Sequence, residues 1–261
     1  MSDKYTAEYV DGKDMVYPKV IYKYRDWDNH NHQKILQENK IYLSSPRDFE
    51  DNLDCNVPER FPIKEELYDF FLEKSKEENP AVSRQEHRAF ARYWSKHSPL
   101  ANPALLKKQI EYYNNEFNDR FGVCSLTADS ENPDMWKKYA NDSKGICIGF
   151  DSSKLFGVIG GGGEVIYEDQ LPTIDFINDD FKTKHGKNIF FKESKWSFEK
   201  EYRLHKFWEK PPALDERNIL MPADCIVEII LGKNISDENK KEITELINKK
   251  YPKAPIIHST I

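Results

Sequence analysis

Long apolar runs are absent from the 261 residues, so we expect no membrane-spanning helix and no membrane partner. Cysteine is scarce and scattered, and no CxxC pair occurs among Cys55, Cys124, Cys147 and Cys225. This spacing argues against a disulfide framework or a zinc ribbon and predicts reduced thiols in the core. Positive charge is not in excess, because the net charge is -6 at pH 7. A broad surface for duplex DNA is therefore not expected.

Glycine forms one run, residues 160–163, and no Lys-Ser or Lys-Thr follows it. The run therefore lacks the signature of a phosphate-binding loop and predicts a flexible hairpin connection. Residues 1–17 are polar and lack the apolar segment of a secretory signal. We expect a polar lead-in and a cytoplasmic protein.

Aromatic residues, in contrast, make up 13% of the chain, while hydrophobic residues of all kinds reach only 38%. The chain is long enough for a sizeable core, and that core should be rich in aromatic rings. Strand-like apolar segments occur on both sides of residues 61–118, where the spacing of apolar residues is helical. The pattern predicts an α+β fold with a mainly antiparallel or mixed sheet and an inserted α-helical subdomain.

The predicted sheet domain comprises residues 18–60 and 119–261, and the predicted insert comprises residues 61–118. Within the insert, Leu, Phe and Tyr recur every three or four residues near 64–78, 83–97 and 103–118, which is typical of amphipathic helices. Its many aromatic residues suit a protein partner, so a non-enzymatic sensor or adaptor is one interpretation. The insert leaves and re-enters between candidate site strands, so we expect it to cover one mouth of their cleft.

Glu199 and Glu201 are the most informative acidic residues. They begin a segment, 199–205, whose pattern predicts a strand, and side chains two residues apart on a strand point the same way. Two carboxylates on one side of a cleft suit acid–base chemistry or the stabilisation of a cation. The alternative is a structural ion pair, because Arg203 lies two residues beyond Glu201 on the same side.

Several segments taken together are similar to a known family. The segments are 22–25, 41–46 with 49–51 behind it, 124–127, 135–140 running to 145–151, and 195–203. In order and spacing they resemble the bacterial domain of unknown function family twenty-nine seventy-one, over residues 20–232. The resemblance implies a setting in bacterial conflict systems and mobile defence islands.

A second similarity concerns mechanism. A strand that ends in a basic residue, a strand that ends in Ser-Ser and a later Glu-x-Glu resemble the three-part pattern of ADP-ribosyltransferases of the Arg-Ser-Glu type. The sequence departs from that pattern by having Ser44-Ser45-Pro46 in place of Ser-x-Ser and by carrying the insert. The resemblance implies NAD as the substrate of a transferase or NAD glycohydrolase, acting as an effector in antiphage defence or a toxin system.

Cleavage of the bond between nicotinamide and ribose passes through an oxocarbenium-like state, which needs a carboxylate near the ribose and a clamp for the pyrophosphate. Glu201 is the candidate for that carboxylate, and Glu199 is the candidate for activating the acceptor, which is a protein, a nucleic acid or water. Arg25 is the candidate clamp, because its guanidinium matches phosphate oxygens. An ion pair of Arg25 with Asp26 or Glu50 is the structural alternative.

Ser44, Ser45 and several aromatic residues complete the candidate site. The two hydroxyl groups bind ribose or support the acid, unless Ser-Ser-Pro is only a turn. The aromatic rings stack on nicotinamide or adenine, unless they belong to the core. The aromatic candidates are Tyr24, Tyr42, Trp136 and Tyr139, with Tyr22 beside them.

A metal-dependent nuclease is the leading enzymatic alternative. Asp26, Asp28, His30 and His32 offer metal-type ligands in one short run. The run precedes a predicted helix, where Asp and Asn side chains satisfy free backbone amides. On this ground we predict no metal.

Overall fold

A computed structural model describes residues 17–261, and most of the predicted lead-in lies outside the described residues. The strands are β1 (Val20–Arg25), β2 (Lys40–Tyr42), β3 (Glu59–Arg60), β4 (Phe121–Thr127), β5 (Ile146–Asp151), β6 (Gly162–Glu164), β7 (Ile166–Glu168), β8 (Ile174–Asp175), β9 (Phe191–Glu193), β10 (Glu201–Phe207), β11 (Asn218–Leu220), β12 (Ile226–Leu231) and β13 (Ile256–His258). The helices are α1 (His30–Gln37), α2 (Lys64–Glu78), α3 (Arg84–His97), α4 (Pro103–Arg120), α5 (Pro133–Tyr139), α6 (Ser152–Ile159), α7 (Phe181–Phe190) and α8 (Asp237–Lys250).

The main sheet has seven strands in the order β13-β12-β5-β1-β4-β10-β6. Every neighbouring pair is antiparallel except β12 and β13, which run parallel at one edge. The predicted α+β class with a mainly antiparallel or mixed sheet is therefore confirmed. Within residues 17–261, no helix has the length and apolar character needed to cross a membrane.

Hydrophobic cores cover both faces of this sheet. On one face Ile21 and Ile148 pack with Ile247 of α8 in the larger core. On the other face Tyr24 packs with Trp136 of α5. Burying each such apolar side chain stabilises the fold by roughly 1.5–3 kcal/mol. Because the side chains of β1 alternate between the two faces of the sheet, a shift by one residue would lose this burial, and the strand is held in one register. The four cysteines are buried and free, as predicted.

Strands β1 and β4 diverge, although they are neighbours in the sheet. β1 pairs with β5 at every position from Val20 to Arg25, and β4 pairs with β10 along its whole length. Between β1 and β4, in contrast, only Tyr22 and Thr127 are paired. The sheet therefore has a gap at its centre.

The helices of the insert form as predicted, but its boundary does not separate it from the sheet domain. α2 and α3 pack against each other through Leu67, Phe71 and Ala91. α4 runs directly into β4, and its Phe117 packs in one cluster with Phe121 and Val123. The predicted end of the insert at residue 118 therefore falls inside a helix that belongs to both parts.

The prediction of one strand over residues 199–205 was wrong at its start. Glu199 is the last residue of a short 3-10 helix, Ser194–Glu199, and β10 begins at Glu201. Lys200 between them has φ of 44°, a left-handed conformation that interrupts a strand.

The prediction of a hairpin connection over residues 160–163 was also wrong. Gly160, with φ of 89°, ends α6, and its N–H donates to the Phe156 carbonyl oxygen at 2.8 Å. Gly162 and Gly163 belong to β6 and pair with β10. A Cβ on Gly162 would lie 2.4 Å from the Arg203 carbonyl oxygen, so the close approach of the two strands requires glycine there.

Candidate functional site

A cavity of about 250 Å³ lies where β1 and β4 diverge. Residues 22–25 of β1 and residues 123–126 of β4 line it. The remaining lining comes from β2 and the loop after it, from α5 and from the segment that runs from β9 into β10. A small ligand in this gap would be held by residues that are distant in the sequence.

A buried ion network forms the wall made by β9 and β10. Arg203 contacts Glu201 twice, Nε to Oε1 at 2.7 Å and Nη2 to Oε2 at 3.2 Å. Lys192 Nζ lies 3.0 Å from Glu201 Oε2 and 2.6 Å from Glu199 Oε2. Asp54 contacts both cations, at 2.6 Å from Arg203 and 3.3 Å from Lys192. The ion pair with Arg203, which is the alternative role for Glu201, is therefore present. Both Glu199 and Glu201 also contact Lys192.

The charges of this network stabilise one another. Burial by itself raises the pKa of a carboxyl group, but Arg203 and Lys192 lower the pKa of Glu201 to about 2. Burial by itself lowers the pKa of Lys192, but the neighbouring carboxylates outweigh this effect and raise the pKa. By formal charge the carboxylates of Asp54, Glu199 and Glu201 exceed the two cations by one negative charge. This excess makes the β9–β10 side of the cavity negative.

Glu199 has a further partner at the cavity. Tyr139 donates its hydroxyl hydrogen to Glu199 Oε1 at 2.6 Å. Burial and the charge of Glu199 raise the pKa of Tyr139, so the phenol keeps its proton and remains a donor at neutral pH. Lys138 lies 4.0 Å from the same oxygen, but its side chain is 33% exposed and water screens its charge.

The β1 wall presents two cations to the same cavity. Lys23 donates from Nζ to the Ser125 carbonyl oxygen at 2.5 Å, across the gap between the strands. In the described part of the chain neither Lys23 nor Arg25 forms an ion pair, so Arg25 does not take the alternative role with Asp26 or Glu50. Burial, followed by the charge of Arg25, lowers the pKa of Lys23 to about 8. Burial also lowers the pKa of Arg25.

Most of the predicted site residues line this cavity, although they come from distant parts of the sequence. They are Tyr24, Arg25, Tyr42, Ser44, Tyr139, Glu199 and Glu201. Ser44 is held by backbone hydrogen bonds to Val123 in both directions, at 2.9 and 2.8 Å. This bridge attaches the end of the β2 segment to β4.

Ser45 and Trp136 lie outside the cavity, which corrects their prediction as ligand-binding residues. Ser45 Oγ donates to the Asn118 carbonyl oxygen at 2.8 Å and accepts from the N–H of Arg47, so it caps a turn. Trp136 is fully buried, and its Nε1 donates to the Ser130 carbonyl oxygen at 3.0 Å. Both side chains have structural partners, and neither lines the cavity.

Sequence reasoning missed Lys23, Lys192 and Trp196 as site residues. Lys23 lies within β1, and Lys192 directly follows Phe190 and Phe191. A lysine next to apolar residues is a detectable signal, because a buried lysine needs a partner or a ligand. Trp196 lines the cavity, and its Nε1 donates to Asp51 Oδ2 at 2.6 Å. The Lys138 ammonium lies 4.1 Å from the centre of the Trp196 ring.

The insert does not cover the cavity. No residue from 61–118 lines it, so the expectation that the insert covers one mouth of the cleft was wrong. The physical reason is that α2 and α3 bury their apolar sides against each other and Ile177, while α4 packs on the cluster around Phe121.

The candidate metal run has a structural role at the start of α1. Asn29 caps the helix by accepting from the N–H of Asn31, and Asp26 Oδ1 accepts from the N–H of Asp28. His32 Nδ1 lies 3.1 Å from the Asp26 carbonyl oxygen. Across residues 17–261, no three His, Cys, Asp or Glu residues are arranged to hold a metal ion.

Comparison with known proteins gives one match. No curated protein and no solved structure matches the chain. Residues 135–204 match the model of a family described as "Protein of unknown function (DUF2971)". Over this segment, which holds Lys192, Glu199, Glu201 and Arg203, the chain is similar to that family; the segment contains the last two of the five motifs behind the resemblance predicted over residues 20–232.

Proposed function

We propose that the cavity binds NAD or a related nucleotide and that the chain breaks the bond between nicotinamide and ribose. The observation that carries the proposal is the charge of the two walls. Lys23 and Arg25, which have no ion-pair partner in the described part of the chain, line the same cavity as the carboxylates of Glu199 and Glu201. A ligand that combines a phosphate with a centre that becomes cationic complements both walls.

The cationic wall favours an anion. Burying a charge without an opposite charge beside it costs free energy, so Lys23 and Arg25 are stabilised when an anionic ligand enters. Arg25 offers a planar donor group that matches two phosphate oxygens, and Lys23 adds a second positive charge. The phenol ring of Tyr42 lines the cavity beside them, is partly exposed and offers stacking surface for a flat ring.

The acidic wall favours the transition state. As the C1′–N bond breaks, its electron pair leaves with neutral nicotinamide, and the ribosyl ring becomes cationic. Glu201, whose negative charge is held in place by Arg203 and Lys192, stabilises that ring electrostatically. Glu199 accepts the proton of the incoming acceptor or water as the new bond to C1′ forms. A positioned base of this kind contributes about 10²–10⁴ in rate.

The size of the cavity limits what enters it. About 250 Å³ is slightly below the roughly 300–1,000 Å³ usual for drug-sized ligands. We therefore place the ribosyl phosphate half of a dinucleotide in the cavity and the other half outside it. Consumption of NAD in this way would make the chain a cytoplasmic effector of the defence or toxin type that the resemblance implies.

Ligand-dependent thermal stability tests the binding step. NAD at 100 times its Kd should stabilise the protein by about 2.7 kcal/mol, which raises the melting temperature by about 5 °C in a chain of this size. Arg25→Gln should abolish this rise without lowering the melting temperature of the free protein, because the guanidinium has no ion-pair partner to lose. Arg88→Gln, the same change on the exposed side of α3, is the matched control and should keep the rise.

Release of nicotinamide tests the chemical step. Glu199→Gln should lower the rate by at least about 10²-fold while the stabilisation by NAD remains, because Gln keeps the shape and one acceptor oxygen. Wild-type protein that NAD does not stabilise would refute the proposal. Stabilisation by Mg²⁺ or Mn²⁺ in its place would support the metal-dependent nuclease.

A further inference from the structure

The third helix carries a row of basic residues on its exposed side. Arg84, Arg88, Arg92 and Lys96 recur every four residues along α3, and all four side chains are exposed. Residues four apart on a helix are neighbours on its surface. From Arg84 to Lys96 the row rises by 12 residue steps, or about 18 Å at 1.5 Å per step.

The row differs from the basic residues of the neighbouring helices. In α2, Lys74 lies 3.1 Å from Glu78, and in α4, Lys107 lies 4.0 Å from Glu111. Among residues 17–261, in contrast, none of the four cations of α3 forms an ion pair. Glu86, the acidic residue of α3, accepts from the N–H of Ser83 at 2.8 Å in a capping box. Glu86 is thus engaged with the start of the helix and pairs with none of the four cations.

An exposed aromatic ring lies beside the end of this row. Tyr93 is 55% exposed and stacks on the ring of His97 with 4.3 Å between centroids. Trp94 is 37% exposed and meets Tyr93 edge to face at 5.3 Å. Tyr93 lies three residues before Lys96, a spacing at which two side chains are neighbours on a helix surface, so its ring lies next to the end of the basic row.

We propose that α3 binds single-stranded nucleic acid, with Arg84, Arg88, Arg92 and Lys96 contacting phosphates and Tyr93 stacking on an unpaired base. A basic row next to exposed aromatic rings is the combination that holds a single strand, because every base has a face on which a ring can stack. In a duplex the bases are already stacked, so Tyr93 would have no base to contact.

An anionic membrane is less suitable as the ligand. An amphipathic helix binds a bilayer by burying its apolar side in the lipid. In α3 that side carries Ala91, which is buried in a cluster with Leu67 and Phe71 of α2, so it is not available. The basic row remains exposed although α3 packs against α2. The inference does not rest on the function proposed for the cavity, which contains no residue of α3.

Fluorescence anisotropy with the full chain and a labelled single strand of about 20 nucleotides tests the inference. Four phosphate contacts predict that log Kd changes with log salt concentration with a slope of about 3. The double change Arg88→Glu and Arg92→Glu should weaken binding by at least tenfold, roughly. Lys74→Glu with Lys107→Glu changes the net charge by the same amount and should weaken binding far less.

The aromatic contact has its own control. Tyr93→Ala should weaken binding by about tenfold, which corresponds to one stacked base. Tyr112→Ala removes a ring that is 62% exposed on α4 and should leave binding unchanged. The inference is overturned if the wild-type chain does not bind at low salt, or if the two charge reversals weaken binding equally. A duplex that binds as tightly as the single strand, or tighter binding to phosphatidylserine vesicles, also overturns it.

Discussion

Replacing Glu201 by Gln removes the carboxylate that Arg203 contacts at 2.7 and 3.2 Å and that Lys192 contacts at 3.0 Å. Arg203 is fully buried and keeps Asp54 at 2.6 Å and the Ile189 carbonyl oxygen at 2.7 Å. Removal of one partner from a buried ion pair costs about 3–5 kcal/mol. At about 2 °C per kcal/mol for a chain of this length, the melting temperature should fall by about 6–10 °C.

A double-mutant cycle measures how much of this loss belongs to the pair. Unfolding free energies of Glu201→Gln, Arg203→Met and the double variant are obtained from urea titrations at neutral pH. The double variant should be more stable than the sum of the single losses predicts by about 1–3 kcal/mol, because the buried Arg203 charge that loses its partner in Glu201→Gln is absent from it. The same cycle at Lys154 and Asp224, an exposed pair at 2.6 Å, should give less than about 1 kcal/mol.

Additive losses in the cycle would refute this reasoning. They would mean that Arg203 and Glu201 do not stabilise each other, although they lie in contact. If Glu201→Gln also kept the melting temperature of the wild type, the Glu201 carboxylate would have no structural role. The Glu201 carboxylate would then act only on a ligand in the cavity.

Three other predictions concern Lys23 and Trp196 at the cavity and two histidines outside it. The affinity for a phosphate-bearing ligand should fall as pH rises through about 8, where Lys23 loses its proton, and calorimetry should show a flat profile for Lys23→Arg, which stays charged. A ligand in the cavity should change tryptophan fluorescence, and Trp196→Phe should remove the change, because Trp196 lines the cavity. Burial lowers the pKa of His185 to about 3 and that of His205 to about 4. Because unfolded histidine titrates near 6.5, the stability from these neutral rings is present above about pH 6.5 and is lost as pH falls towards 4. His205→Gln should therefore show a shallower decline in melting temperature between pH 6.5 and 4.5.

Local features explain which elements the sequence predicts well. The helices predicted near 64–78, 83–97 and 103–118 occur at α2, α3 and α4, and Ser236, a residue type that favours helix N-caps, caps α8. Apolar periodicity and capping involve residues within one or two turns of each other, so they can be read without tertiary contacts. The start of β10 could not be read in this way, because the left-handed conformation of Lys200 has no glycine to signal it.

Residue types and motif order by themselves determined which side chains are candidates for the site, including Arg25, Ser44, Glu199 and Glu201. Only the tertiary structure decided their partners. Arg203 and Asp54 are 149 positions apart, and their contact depends on how the loop after β2 packs on β10. Strand pairing decides two further features. One is the gap between β1 and β4, and the other is the absence of an ion pair at Arg25 within the described chain. Burial, charge balance and cavity shape are properties of the packed chain, because each depends on residues that sequence separation does not bring together.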